Sequence, residues 1–281
     1  MRRYTSYEKY DNIFLRIYEK EHDKVVKFVI EKENLHRIPC IADIPKSCDR
    51  IVILIHGLSS SKESENASYM MKYFAEKGMG AVAYDQPGHG SEEAAEESLL
   101  LKNCLDSLAC VEKYISEKYP NAEICYFGSS FGGYVLGIYL ARKLNSGRKV
   151  FMRCSAVIFP QMIVGDVHAE PDPEAMKYLD MQGYIDAEVD GQNVRFLKEF
   201  LEELKANSMI DIYDEALPDN AELFFVHGEK DPVVPVYTTK DFAEKHGYPI
   251  VIIPNEGHSI SDSPDSPAKV AGAAYEFFCK S

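Results

Sequence analysis

The sequence predicts an α/β fold, in which helices cover both faces of a mostly parallel sheet. The segment "RIVILIHG", from Arg50, is a short apolar run rich in β-branched residues, which is typical of a strand buried on both faces. Helical segments such as "ENASYMMKYFAEKG", from Glu65, alternate with runs of this kind along the chain. Such alternation calls for βαβ units, and these place parallel strands side by side.

Each further element is identified by its apolar pattern and by the residues at its ends. Ser59 to Ser61 offer N-caps for the first helix, and Gly78 is expected to end it. The second helix carries an apolar stripe at helical spacing from Leu101 to Tyr119. The predicted strands are, in order, "KVVKFVIEK" (from Lys24), "LHRIPCIADIP" (from Leu35), "RIVILIHG", "MGAVAY" (from Met79), "AEICYFG" (from Ala122), "CSAVIFP" (from Cys154), "AELFFVHG" (from Ala221) and "YPIVIIP" (from Tyr248).

Residues 161–216 interrupt this rhythm, because they contain no convincing core strand. We expect them to form a short, mainly helical cap inserted between the sixth and seventh sheet strands, with residues 1–160 and 217–281 as the core domain. Within it, residues 169–191 carry seven acids and one lysine, Lys177. A solvated surface is the favoured interpretation of them, and a cation-attracting rim is the alternative. They are Glu170, Asp172, Glu174, Asp180, Asp186, Glu188 and Asp190.

Composition excludes several classes of function. The net charge of −14 argues against nucleic acid and against anionic membranes, and it favours a neutral or cationic substrate. No apolar run approaches the ~20 residues of a membrane span, and no secretory signal is visible at the N-terminus. The seven scattered cysteines contain no CxxC pair, so we expect reduced thiols, no metal site and a cytoplasmic protein.

The pentapeptide Gly128-Ser129-Ser130-Phe131-Gly132 follows a predicted strand and precedes a predicted helix. That is the context of a nucleophile elbow, a sharp strand–turn–helix bend whose neighbouring positions must be small. Ser130 has glycine two residues away on both sides, whereas Ser129 has phenylalanine. We therefore predict that Ser130 is the nucleophile and that Ser129 is not.

A serine hydroxyl needs a base to take its proton, and the base needs an orienting acid. Asp231 and His258 lie in loops after two successive predicted strands and follow Ser130 in the order that this elbow requires. Asp85 and Asp166 are the weaker candidates for the acid. The backbone N–H groups of Leu58 and Phe131 are predicted to form the oxyanion hole.

Five segments carry a resemblance to a known family: "HGLSSSKES", "AYDQPGHGS", "GSSFGG", "HGEKDPVVP" and "NEGHS". The chain resembles the α/β-hydrolase-fold serine hydrolases over nearly its whole length, from about residue 24. Among them it is most similar to small bacterial carboxylesterases, including the cinnamoyl/feruloyl group, and to serine aminopeptidase-type relatives. Many of those relatives carry histidine where this chain has Ser129.

The resemblance implies an enzyme that cleaves carboxylic esters of small or medium, neutral substrates through an acyl-enzyme, without a cofactor. A serine aminopeptidase, an amidase and an acyltransferase use the same triad and stay open. So does a non-catalytic protein of this fold that binds a ligand or partner. Met162, Tyr178 and Tyr184 in the cap are candidate substrate contacts, and the oligomeric state is left open.

Overall fold

A computed structural model describes residues 20–22, 25–32, 36–91, 94, 97–167, 173–189 and 192–280. The strands in this part of the chain are β1 (Lys20–His22), β2 (Val25–Glu31), β3 (Arg37–Asp43), β4 (Arg50–Ile55), β5 (Gly80–Tyr84), β6 (Glu123–Ser129), β7 (Lys149–Arg153), β8 (Tyr184–Val189), β9 (Gln192–Leu197), β10 (Glu222–Gly228) and β11 (Ile250–Ile253).

The helices of the described residues cover the sheet or fill the segment between β7 and β10. They are α1 (Glu65–Glu76), α2 (Leu101–Lys118), α3 (Phe131–Ala141), α4 (Phe159–Val164), α5 (Pro173–Gln182), α6 (Lys198–Ala206), α7 (Met209–Glu215), α8 (Val236–Lys245) and α9 (Ser266–Cys279). No helix in these ranges is both long and apolar enough to cross a bilayer.

Nine strands form one sheet in the order β1-β2-β3-β5-β4-β6-β7-β10-β11. Neighbours pair in parallel along β5-β4-β6-β7-β10-β11, whereas they pair antiparallel along β1-β2-β3-β5. The prediction of a mostly parallel sheet in an α/β-hydrolase fold is thus confirmed. Because the parallel strands all end at one edge, that edge collects the loops that carry chemistry.

The sheet separates two apolar cores, and strand alternation assigns side chains to one or the other. In β4, Ile51, Ile53 and Ile55 face the core that α2 and α3 cover. Val52 and Leu54 face the opposite core, which α1 and α9 cover. Both faces of the strand are buried, which explains the continuous apolar run in the sequence.

The sequence placed two features wrongly. The sixth strand is "KVFMR" at Lys149–Arg153 rather than "CSAVIFP", because a buried apolar run has the same pattern in a strand as in a buried turn and helix. Pro160 then lies in the first turn of α4, where its missing N–H costs no hydrogen bond. Likewise, α1 is capped by Ser64, whose side chain accepts from the Ala67 N–H, and not by Ser59 to Ser61.

The segment between β7 and β10 contains helices and also a two-stranded hairpin, β8–β9, which the sequence did not predict. It packs on the core through buried residues of α6, among them Phe200 and Leu204. The boundaries 161–216 and the role of this segment as a cap stay predictions.

Candidate active site

A cleft of about 730 Å³ opens at the carboxyl ends of the parallel strands. Ile55, Ser129 and Arg153, the last residues of β4, β6 and β7, all line it. Ser130 and His258 line the same cleft. Two of the residues that the sequence assigned to catalysis, more than a hundred positions apart, therefore share one cavity.

Ser130 occupies the turn between β6 and α3. Its φ of 51° and ψ of −119° lie in a region that side-chain-bearing residues rarely adopt. The surrounding backbone holds this conformation, since the Ser130 N–H donates to Arg153 O at 3.0 Å and Ser130 O accepts from the Gly133 N–H at 2.9 Å. The turn therefore presents the Ser130 side chain at a fixed position in the cleft.

The flanking glycines are required by close packing. A Cβ on Gly128 would lie 2.9 Å from Gly133 Cα, and one on Gly132 would collide with the carbonyl oxygens of Ile55 and His56. Strand β4, strand β6 and helix α3 consequently meet at backbone contact. This is the steric reason for the Gly-x-Ser-x-Gly pattern that the sequence analysis singled out.

Asp231 and His258 are joined directly. The His258 Nδ1–H donates to Asp231 Oδ2 at 2.7 Å, and the Asp231 side chain is fully buried. Because the carboxylate fixes the proton on Nδ1, the His258 Nε2 atom is left with a lone pair that can accept a proton. The Ser130 hydroxyl makes no hydrogen bond of 3.5 Å or less to His258 or to another described residue.

Three further contacts hold the Asp231 carboxylate. Its Oδ1 atom accepts from the Val233 and Val234 N–H groups, each at 2.9 Å. Its Oδ2 atom lies 3.0 Å from His227 Nε2, which is also 3.0 Å from Val234 O. Burial alone would raise the pKa of Asp231, but the hydrogen bonds from His227 and His258 hold that pKa well below its usual value.

Sequence reasoning missed two residues of this acid–base pair's surroundings. His227 lies four residues before Asp231, and this spacing is the signal in the sequence that could identify it. Glu256 is buried and accepts from the Asp262 and Ser263 N–H groups at 2.9 Å each. Asp262 in turn accepts from the Gly257 N–H at 2.7 Å, so that both acids fix the loop that carries His258.

The groups predicted to form the oxyanion hole flank the nucleophile. Leu58 follows Gly57, whose position is so close that a Cβ there would lie 3.2 Å from Ser130 Cβ. Phe131 is the first residue of α3, where the helix dipole favours negative charge. In the described part of the chain, neither the Leu58 N–H nor the Phe131 N–H donates to an acceptor. Both are available to a ligand.

His56 shapes the Leu58 loop and is not a catalytic base. Its Nε2 atom accepts from the Gln86 N–H at 3.0 Å, which leaves the proton on Nδ1, and Nδ1–H donates to Gly57 O at 2.7 Å. Burial lowers the pKa of His56 to about 3, with the neighbouring His89 acting in the same direction. The neutral His56 ring therefore joins the backbone at Gly57 to the backbone at Gln86 through two hydrogen bonds.

The weaker candidates for the acid lie elsewhere. Asp85 forms a buried ion pair with Lys62 at 2.6 Å and also accepts from the Lys62 and Ser91 N–H groups. Asp166 is exposed beyond α4. Neither contacts His258.

The candidate cap contacts separate into two groups. Met162 lines the cleft together with Phe159 and Phe196. Tyr178 and Tyr184 do not line it, because Tyr178 projects into solvent from α5 and the Tyr184 ring lies 3.8 Å from the Arg195 guanidinium. A substrate contact by either tyrosine stays a prediction without support from this cavity.

Two of the seven acids between residues 169 and 191 form ion pairs with basic residues of the segment 161–216. Asp186 pairs with Arg195 at 2.9 Å and Asp180 with Lys198 at 2.7 Å. Glu170, Asp172 and Asp190 lie outside the described residues. Glu188 lines the cleft and forms no ion pair in the described ranges.

The described residues contain one group that could be read as a metal site: Cys154, His227 and Asp231. Its chemistry does not fit a metal. Burial raises the pKa of the Cys154 thiol to about 12, so that this thiol keeps its proton. The His227 Nε2 atom and both carboxylate oxygens of Asp231 are already engaged with each other, with His258 or with backbone groups.

Several solved structures share this architecture. Est1E from Butyrivibrio proteoclasticus matches with a TM-score of 0.71 at 19% identity, over 90% of this chain and 99% of that chain. The same protein with ferulic acid bound matches with 0.70 at 20%, over 86% and 94%. The mouse alpha/beta hydrolase domain-containing protein 10 matches with 0.69 at 16%, over 90% and 98%.

These identities are low, and the likeness to these structures concerns the fold. The sequence model of one family, described as the alpha/beta hydrolase family, matches residues 52–273, which is most of the chain. That stretch contains the Ser130 turn, the Asp231–His258 pair and the parallel strands that present them. The chain therefore belongs to the alpha/beta hydrolase family.

Proposed function

We propose that this hydrolase is a carboxylesterase that cleaves carboxylic esters of small or medium size through an acyl-enzyme on Ser130. One observation carries the proposal: an Asp231–His258 hydrogen bond of 2.7 Å borders the cleft that holds a serine on a strained strand–helix turn. The arrangement supplies a nucleophile, a base with a free lone pair and an acid that orients the base.

The proposed reaction proceeds in two halves. His258 Nε2 takes the proton of Ser130, whose oxygen attacks the ester carbonyl, and Asp231 stabilises the imidazolium. The Leu58 and Phe131 N–H groups donate to the oxyanion of the tetrahedral intermediate. The proton then passes from His258 to the leaving alcohol. Water, activated by the same histidine, hydrolyses the acyl-enzyme and releases the acid.

An aminopeptidase, amidase or acyltransferase activity of the same triad is the second candidate. It is favoured by Glu188, an acid without an ion partner in the described ranges that lines the cleft and could anchor a substrate ammonium. A panel of aminoacyl amides beside short acyl esters decides between the two. Amide turnover that exceeds ester turnover would reverse the choice.

Replacement of the nucleophile tests the proposal. In Ser130→Ala we expect kcat for p-nitrophenyl acetate to fall by about 10³-fold or more, because the covalent step is lost. Ser116→Ala, at an exposed position of helix α2, is the matched control and should keep full activity. Equal turnover by Ser130→Ala and the wild type would exclude the mechanism.

A fluorophosphonate probe separates an enzyme from a binding protein of the same fold. The probe modifies only an activated serine, so it should label the wild type and Ser116→Ala but not Ser130→Ala. A wild-type protein that stays unlabelled would favour the non-catalytic alternative.

A further inference from the structure

The cleft has a polar arm, which we define as Asn66, Ser129, Arg153 and Ser259. All four residues line the cleft. Ser129 and Arg153 are paired across β6 and β7, and their side chains follow Phe127 and Phe151 onto the face that α1 and α9 cover. The lining also includes apolar residues on the other side of the sheet or in the segment after β7, among them Phe159, Met162, Ile163 and Phe196.

Arg153 is the cation of this arm, and it is 5% exposed. Its Nη2 atom donates to Ser259 O at 2.5 Å and to His258 O at 3.2 Å. With the Asn66 amide turned so that its oxygen faces the guanidinium, Asn66 Oδ1 accepts from Nη2 at 2.6 Å and from Nη1 at 3.2 Å. The guanidinium is therefore held in one position beside the catalytic base.

The charge of Arg153 has no counterion. In the described ranges no carboxylate lies within 4.0 Å of it, and its contacts are neutral oxygens. The acid whose field reaches it is Asp231, and the oxygens of Asp231 are engaged by His258, His227 and two backbone amides. Burial of a charge without an opposite charge is unfavourable. The presence of an unpaired guanidinium at this buried position therefore needs an explanation.

Unused donors point into the same arm. Among the described residues, Arg153 Nε has no hydrogen-bond partner and Nη1 has only the contact with Asn66. The Ser129 hydroxyl, which also lines the cleft, donates to no described acceptor. Arg153 uses only Nη2 to hold the His258 loop. That role does not explain the N–H groups on Nε and Nη1.

We propose that the polar arm binds a carboxylate of the substrate, so that the preferred ester carries one negative charge besides its reacting group. A carboxylate accepts hydrogen bonds and offers none, which matches the N–H groups of Arg153 and the hydroxyl of Ser129. It also supplies the missing counterion.

The total charge of the chain restricts the ligand further. With a net charge of −14 the protein repels polyanions at long range, whereas one carboxylate can be held by one guanidinium at short range. The total charge and the family resemblance favour a neutral substrate, whereas the buried Arg153 cation in the cleft points to a substrate that carries one carboxylate.

This inference rests on the proposed ester hydrolysis, because it names the substrate class of the same site. Two matched pairs of esters test it. On the acyl side, monoethyl adipate is compared with the ethyl ester of adipamic acid. On the alcohol side, 4-carboxyphenyl butyrate is compared with 4-carbamoylphenyl butyrate. Each pair differs by a carboxylate against a neutral amide of the same shape. We expect kcat/KM to favour the carboxylate member of one pair about ten- to hundredfold.

Arg153 has two roles to separate: recognition of the substrate carboxylate and support of the His258 loop. Loss of loop support slows both esters of a pair equally, so the ratio of their kcat/KM values reports on recognition alone. In Arg153→Gln we expect all esters to be cleaved more slowly, because the His258 loop loses a support, and the preference for the carboxylate member to fall to about onefold. Arg153→Lys keeps the charge and should retain part of the preference. Arg50→Gln removes an exposed cation that pairs with Glu123 outside the cleft, and it should leave the ratio unchanged.

Three results would overturn the inference: equal rates within both pairs, a preference for the amide members, or a preference that survives Arg153→Gln. If Arg153→Gln does not fold, the wild-type ratios and Arg153→Lys still decide.

A failure of the proposed function is a separate result. If fluorophosphonate labels Ser130 but no ester is cleaved, the polar arm is tested by competition. The rate at which the probe labels Ser130 is measured with adipate present and, separately, with adipamide present. Protection by adipate that exceeds that by adipamide supports the carboxylate site, and equal protection by the two excludes it.

Discussion

The cleft has two walls of different construction. The core wall carries Ser130 and His258, which are half-buried, and the fully buried Asp231, which is joined to His258 by a hydrogen bond of 2.7 Å. The second wall, called the cap wall after the predicted cap of residues 161–216, carries Met162 and Glu188. The Asp186–Arg195 ion pair, on the same hairpin as Glu188, has side chains 49% and 56% exposed. A buried polar group depends on its partner, whereas an exposed pair is screened by water. The groups of the proposed reaction thus lie in the core wall, and changes there should have larger effects than changes in the cap wall.

The core wall should respond most strongly to loss of the acid. In Asp231→Asn we expect kcat for p-nitrophenyl butyrate to fall about 10⁴-fold, because an amide no longer selects the His258 tautomer that leaves Nε2 free. Asp241→Asn, on the exposed face of α8, should keep full activity. A loss below tenfold in Asp231→Asn would show that His258 does not depend on this carboxylate.

The next largest effect is expected for the buried Asp85–Lys62 ion pair, and it concerns the stability of the protein. Asp85→Asn leaves the buried Lys62 ammonium without its counterion, and we expect the free energy of unfolding at pH 7 to fall by about 3–5 kcal/mol. Exposed Asp49→Asn is the control. Urea unfolding measures both, and a change below about 1 kcal/mol would contradict the assigned role.

The same pair makes a prediction about pH. Burial raises the pKa of Asp85, but the hydrogen bonds and charge of Lys62 outweigh it and hold the pKa below its usual value. Such a carboxylate adds stability above its unfolded pKa of about 3.9, and this stability is lost as the pH falls through the folded value. The difference in the free energy of unfolding between the wild type and Asp85→Asn should therefore be largest at neutral pH and should shrink below about pH 4.

The cap wall should give the smallest effect. Met162→Ala removes an apolar contact from a partly exposed wall, so we expect KM for p-nitrophenyl octanoate to rise about fivefold at nearly constant kcat. Tyr178→Ala, on the solvent side of α5, should leave both constants unchanged. A larger effect in Tyr178→Ala than in Met162→Ala would place the substrate against a different face of the cap.

Local chemistry made much of this protein predictable from its sequence. The glycines around Ser130 are required by backbone contacts within a strand–turn–helix unit, so the elbow is visible in five consecutive residues. The positions of Asp231 and His258 follow from the rule that parallel strands end at one edge. The α/β-hydrolase fold was predicted for the same reason, since buried strands and amphipathic helices carry their periods in the chain.

The tertiary structure alone decided the rest. "CSAVIFP" has the pattern of a buried strand, but it packs as a turn and a helix because Lys149–Arg153 already occupies the place beside β6 and β10. His227, Glu256 and Arg153 acquire meaning only from partners brought together by folding. The sequence by itself determined which serine lies on the strained turn. The tertiary structure decided which charges surround it, because pairing and burial depend on contacts between distant segments.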